Sequence, residues 1–404
     1  MTDFPRDFLW GSSTAAHQVE GGNTNNDWWL WEHTPGTTAT ESSGDAIDHW
    51  NRYDEDFALL AALGQNAHRF SLEWSRIEPA EGEFSQAALD HYKRVLDSLA
   101  DHGLTAFTTI YHFTVPQWFA SRGSWLAADG LDIFGRYAEK LAAELGDRMP
   151  YVCTINEPQI VASQGYALGW FPPGHTDIGE ATKVNEVLAQ AHRTATSALR
   201  SGHGRPRVGT CLQLPVFQAK DPDSAGDTST VDLLRGLMVD YHIDDLRSGG
   251  DVGDFVGLQY YTRAVVDSTS PAFLARPPKD AETTQMGWEV YPEGFGQMLR
   301  RISETGLPVV VTENGIATAD DRQRVRYLHS HLEQVRQVLA EGVDVRGYMY
   351  WSSFDNFEWA HGYAPTFGLV GIDREDDLRR VVRPSAVAFG EVARTGSLTP
   401  LTGG

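Results

Sequence analysis

Two periods alternate along the chain. In eight stretches apolar residues recur at spacings of three and four, giving each one buried helical face: Asn51–Leu63, Gln86–Asp101, Leu131–Leu145, Lys183–Arg200, Val231–Leu246, Glu293–Thr305, Arg322–Glu341 and Pro384–Arg394. Between them lie short runs without that spacing: Asn66–Leu72, Leu104–Tyr111, Tyr151–Asn156, Arg207–Leu214, Phe255–Tyr261, Leu307–Val311 and Val345–Trp351. An unbroken apolar run suits a strand covered on both faces, as in a parallel sheet. Phe8–Thr14 supplies a first strand, followed by a polar, Trp-rich excursion to about His49. Most helical stretches close on glycine, at Gly64, Gly103, Gly146, Gly202 with Gly204, Gly249-Gly250, Gly306 and Gly342, and these glycines are expected to be left-handed caps.

Eight strands, each followed by a helix, predict a closed parallel (β/α)8 TIM barrel, one domain over residues 1–404. The alternative is a doubly wound open sheet, which usually has fewer strands and a Gly-rich first turn. No GxGxxG or GxxxxGK[ST] follows any strand, and no internal repeat interrupts the series.

Composition narrows the function classes. With 404 residues, 41% hydrophobic and 22% charged, the chain can bury a sizeable core, and its formal charge of −22 argues against nucleic acid and anionic membranes as partners. Cys153 and Cys211 lie in apolar runs and imply no disulfide framework. Neither a charged-then-apolar leader nor a run of about 18 apolar residues is present, so a cytoplasmic protein is the expectation. Aromatic residues are abundant (12 Trp, 14 Tyr, 18 Phe), and where they stand at strand ends they offer flat faces to sugar rings or apolar ligands.

In a barrel the chemistry gathers where strands end. Those positions hold His17, Gln18 and Glu20; Arg69 and Glu73; His112 and Phe113; Asn156 and Glu157; Gln259, Tyr260 and Tyr261; Glu313; and Trp351, with Glu358 and Trp359 just beyond. Metal-assisted hydrolysis would need closely spaced ligands, and none of these strand-end positions carries HxH or HExxH. Glycoside hydrolysis needs two carboxyl groups flanking one bond. Glu157 and Glu313, on the fourth and seventh strands, can face each other across a sugar.

Four motifs carry a resemblance. Phe8 through Gly21 (FLWGSSTAAHQVEG) looks like the N-terminal signature of family 1 glycoside hydrolases, the β-glucosidase family. Thr154-Ile155-Asn156-Glu157-Pro158 matches that family's acid/base motif, Thr312-Glu313-Asn314-Gly315 its nucleophile motif, and Trp351 through Trp359 (WSSFDNFEW) its sugar-recognition segment. The resemblance implies a retaining β-glycosidase without a cofactor, with Glu313 as nucleophile, Glu157 as acid/base, and carboxyl groups roughly 5–5.5 Å apart. It implies that Arg69 and Tyr261 support the nucleophile and that Asn156 holds the 2-hydroxyl. It also implies that Gln18, His112, Glu358 and Trp359 bind other hydroxyls, while Trp351 lies under the ring. Glu358, where 6-phosphoglycosidases usually carry Ser, points to unphosphorylated β-glycosides: glucosides, galactosides or fucosides. A transglycosidase using the same intermediate, or an idle sugar-binding barrel, are the alternatives. Phe113 in place of Trp, Gln259 in place of Asn, and a short segment between Glu157 and Glu313 depart from the common pattern and bear on sugar and aglycone preference. Oligomeric state is not legible in the residues.

Overall fold

The computed structural model describes residues 3–270 and 273–398; the ends of the expected 1–404 domain lie outside the described residues. Eight strands form a closed parallel barrel: β1 (Leu9–Ser13), β2 (Ala67–Ser71), β3 (Thr105–Thr109), β4 (Tyr151–Asn156), β5 (Arg207–Gln213), β6 (Phe255–Gln259), β7 (Val309–Asn314) and β8 (Val345–Trp351). Each pairs with its sequence neighbours, and β8 returns to β1 with Trp351 opposite Ser13. The (β/α)8 expectation holds.

The helical rhythm also holds, with shifted starts. The fourth helix begins at Ile178 rather than Lys183, where the Asp177 side chain accepts from the Glu180 amide. The helical run expected from Val231 begins at Ala225, capped by Ser224, and passes through a π turn at Gly236–Asp240 into Tyr241–Arg247. Polar first turns hid both starts, because caps and acidic residues carry no apolar period. The Trp-rich excursion contains two short helices, Ala16–Val19 and Asp27–Glu32. Two small sheets were not anticipated: Val216–Ala219 pairs in parallel with Arg263–Val266, and Val370–Asp373 pairs antiparallel with Arg379–Val382. Their four-residue strands are largely half-exposed, so they lack a continuous apolar run. No helix among the described residues is long and apolar enough to cross a membrane.

Three of the glycines expected as caps, Gly146, Gly202 and Gly204, lack positive φ. Gly64, Gly103, Gly249, Gly250, Gly306 and Gly342 have positive φ, as caps should. Gly146 instead continues into a 3₁₀ turn at φ −56°, and Gly202 is extended at φ −78°, ψ −177°. Here glycine serves close approach: a Cβ on Gly204 would lie 1.7 Å from the Gly146 carbonyl oxygen. The segments entering β4 and β5 cross backbone to backbone.

Inside the barrel, Ala67, Phe107, Cys153, Cys211, Phe255, Val310 and Met349 form an apolar floor. Val309 and Val311, flanking Val310, pack outward with Leu328, Leu332 and Val335 of the helix Asp321–Ala340. Above the floor this alternation breaks on two strands. Cys153 pairs with Gly209 but Asn156 with Cys211, so β4 carries one residue more than β5. Val311 pairs with Leu258 but Glu313 with Gln259, so β7 likewise carries one residue more than β6. Strict alternation from Cys153 and Val310 would point Asn156 and Glu313 at the helices; a one-residue bulge turns both into the mouth.

Gly204→Ala is expected to cost roughly 1–3 kcal/mol, since backbone must move to admit the methyl. An unchanged denaturant midpoint would show that the crossing is looser than described.

Candidate active site

The site is assembled around Arg69, whose side chain is wholly enclosed. Its Nε donates to Thr109 Oγ1 at 3.1 Å, Nη2 donates to Asn156 Oδ1 at 2.5 Å, and Nη1 forms a close ion pair with Glu313 Oε1. Glu313 accepts two more hydrogen bonds, from the Tyr261 hydroxyl at 2.5 Å and from Gln259 Nε2 at 2.8 Å. Burial raises the Glu313 carboxyl above its ordinary value, and Arg69 and Tyr261 pull against that rise.

Glu157 directly follows β4 with φ 50°, in the left-handed region. Pro158 bars the residue before it from right-handed helix and opens the helix Pro158–Ala162 with its fixed φ. The turn holds Glu157 at 7% exposure, and among the described residues its carboxyl has no side-chain partner. Burial, then the negative charge of Glu313, push its pKa well above the carboxylate range. One carboxyl is held by donors and the other is left without them. Glu358, beyond β8 at the rim, is pushed up to about 8 by burial and by the Glu313 charge, against hydrogen bonds from Asn356 and Gln18.

An aromatic wall faces these groups. His112 stacks toward Trp351 and Trp359, with ring centroids 6.1 Å from each. Burial, with Arg69 adding to it, keeps the imidazole neutral. Trp359 is backed by His17 at 5.9 Å, Trp28 at 4.7 Å and Phe113 at 5.2 Å. Gln18 Nε2 donates to the Phe357 carbonyl at 2.7 Å and, more weakly, to Glu358 at 3.4 Å. Gln18 Oε1 and His112 Nδ1 are buried without a partner among the described residues. Trp351 packs with Ala15, Tyr261, Ala317 and Phe367.

Four residues grouped with the mouth in sequence lie elsewhere. Both ring nitrogens of His17 are engaged, by Glu32 at 2.6 Å and Asn26 at 2.9 Å, so it supports Trp359 from behind. Glu20 is bound by Arg76 and Tyr92, between the barrel and the helix Gln86–Asp101. Glu73 bonds Ser75 and Thr114. Tyr260 packs outward with Phe295, donating to the Tyr291 carbonyl, because it alternates with the inward Tyr261. Conversely, Gln259 bonds Glu313 directly, although the sequence marks it only as a departure beside two tyrosines. Among the described residues, no group of three or more His, Cys, Asp or Glu side chains is arranged to hold a metal ion.

A closed β/α barrel with two buried carboxyl groups and an indole-lined wall at its mouth defines the class of barrel hydrolases that act on sugars. The profile of Glycosyl hydrolase family 1 matches residues 1–252 and 244–397, and the chain belongs to that family. β-Glucosidase A of Thermotoga maritima is 33% identical over 440 residues, spanning 98% of each chain. A bifunctional β-D-glucosidase/β-D-fucosidase of Bifidobacterium breve is 34% identical over 439 residues, covering 93% of this chain and 95% of its own. Among solved structures, a β-glycosidase from Pyrococcus horikoshii superposes with a TM-score of 0.92 at 36% identity, covering 99% of this chain and 97% of that one.

Tyr261→Phe removes a donor from Glu313, so its carboxyl should titrate at higher pH. Activity should fall roughly 10- to 100-fold, the worth of a hydrogen bond to a charged group. Carboxyl-carbon NMR titration reads the first effect, and an unmoved Glu313 resonance would contradict the geometry.

Proposed function

We propose that the protein is a retaining β-glycosidase for unphosphorylated β-D-glycosides, β-glucosides foremost, with galactosides and fucosides as further substrates, and that residues 1–404 act as one catalytic domain. The observation that carries this reading is the contrast between two carboxyl groups in one buried site. Glu313 receives Arg69, Tyr261 and Gln259, whereas Glu157 has no side-chain donor among the described residues and faces Glu313's charge. Such a pair divides into an ionised nucleophile and a protonated acid.

In this scheme Glu313 attacks the anomeric carbon while Glu157 gives its proton to the departing glycosidic oxygen. The covalent ester removes the charge on Glu313, so Glu157, having given up its proton, stays ionised and takes a proton from the water that attacks the anomeric carbon and displaces the Glu313 carboxylate. Asn156 meets the 2-hydroxyl, where contact strengthens in the transition state. The unpaired Gln18 Oε1 and His112 Nδ1, with Glu358 and Trp359, take other hydroxyls, and Trp351 lies beneath the ring. Arg69 is engaged by Glu313 and Asn156, and so does not serve a phosphate. Relatives named β-glucosidase and β-glucosidase/β-fucosidase support the sugar class.

A 2-fluoro-glycosyl inactivator should label the peptide containing Glu313; labelling elsewhere would sink that assignment. Glu157→Ala should keep attack on substrates with activated leaving groups and, with azide, yield a β-glycosyl azide. An α-azide would contradict the acid/base role. The pH–rate profile should be a bell whose limbs belong to the pair rather than to either residue; a flat profile from about pH 4 to 9 would count against the scheme.

A further inference from the structure

Gln259 ends β6 opposite Glu313 and is wholly buried. The orientation of its amide follows from what its neighbours can do. Arg69 can only donate, so Asn156 must turn Oδ1 toward it. The Glu313 carboxylate can only accept. Gln259 therefore presents its NH2 to both, at 2.8 Å from Asn156 Oδ1 and 2.8 Å from Glu313 Oε1. Its own Oε1 is left buried without a partner among the described residues, an arrangement a purely structural amide would avoid.

We propose that Gln259 is a positioning residue for the glycosidic reaction, its one amide group clamping the attacking carboxylate and the carboxamide that meets the 2-hydroxyl in a fixed relation. Two donors on Asn156 Oδ1, from Arg69 and Gln259, leave the Asn156 amide hydrogens as the groups that face substrate. No hydrogen bond from Asn156 Nδ2 forms among the described residues. Gln259 also adds a third donor to Glu313, beside Arg69 from β2 and Tyr261 beyond β6. The other charged or titratable groups about Glu313 are Glu157 beyond β4, Glu358 beyond β8, and His112 beyond β3, which faces Arg69. A donor favours the ionised carboxylate, so removing it moves proton release to higher pH.

The inference rests on the reading of Glu313 as nucleophile and Asn156 as the 2-hydroxyl contact. It is tested with Gln259→Met, which fills similar space without donors, and Gln259→Asn. The latter keeps an amide in the barrel but is about 1.5 Å shorter, one carbon–carbon bond, and so cannot reach both oxygens. Three results are expected of Gln259→Met: kcat/KM on an aryl β-glucoside falls roughly 10- to 100-fold, the acidic limb of kcat/KM against pH moves upward, and preference for the glucoside over its 2-deoxy analogue shrinks about tenfold. Gln259→Asn should show at least one of the last two signatures, and decides the matter if Gln259→Met does not fold. An equal rate loss on both substrates with an unmoved acidic limb means a structural role and overturns the proposal. Labelling of the unaltered enzyme by the 2-fluoro inactivator separates the two levels. A label away from Glu313 removes the functional reading, whereas a label on Glu313 with neither signature in the variants removes only the role of Gln259.

Discussion

A guanidinium enclosed in a barrel sets the terms for everything around it. Taking that charge out of water costs several kcal/mol unless it is paired and its N–H groups are satisfied. Arg69 meets the demand with Glu313, Asn156 and Thr109, which lie on β7, β4 and β3. One buried cation on β2 thereby ties together three other strands, two of which end in the carboxyl pair. The floor beneath is apolar and closely filled, so relaxation of the network downward would run into Val310, Cys153 and Phe107.

The aromatic wall depends on a second, separate constraint. Trp359 has φ 50°, sparsely populated for a bulky residue, and is packed from behind by His17 and Trp28. Glu32 and Asn26 engage both nitrogens of His17, and Glu32 is itself held by the amide and hydroxyl of Ser43. The polar excursion between β1 and the first long helix is therefore the back support of the Trp359 indole in the wall of the mouth. This accounts for a Trp- and carboxylate-rich segment that shows no regular period.

Helices and barrel strands were legible because burial imposes a period on sequence, and the motifs around both buried carboxyl groups stood at strand ends where a barrel keeps its chemistry. What escaped the sequence was orientation. Alternation rightly places Tyr261 inward and Tyr260 outward, yet wrongly turns Asn156 and Glu313 away from the mouth, because one extra residue on β4 and one on β7 reset the phase. A bulge leaves no mark in the apolar pattern when the added residue is itself buried, as Thr312 is. His17, Glu20 and Glu73 stand at strand ends too, but the groups that hold them lie on helices and loops away from the mouth. Gly146 and Gly204 look like caps because helix ends and close crossings both select glycine. Gln259 could be noticed only as an unusual residue, since its two acceptors lie 103 and 54 positions away.

The balance of charge at the mouth has a consequence for catalysis. Three carboxyl groups, Glu157, Glu313 and Glu358, share one guanidinium, and only Glu313 touches it. The charge on Glu313 helps raise the pKa of the other two, so each tends to hold a proton while Glu313 is ionised. Under the proposed chemistry, ester formation at Glu313 removes that charge from both neighbours at once. Glu157 then becomes a base, as deglycosylation requires. Glu358 loses the same repulsion, so its carboxyl shifts from donating toward accepting a hydrogen bond from the sugar just as the covalent intermediate forms. The residue that recognises the sugar and the residue that activates water are thus switched by the same event, because both respond to one carboxylate through low-dielectric space.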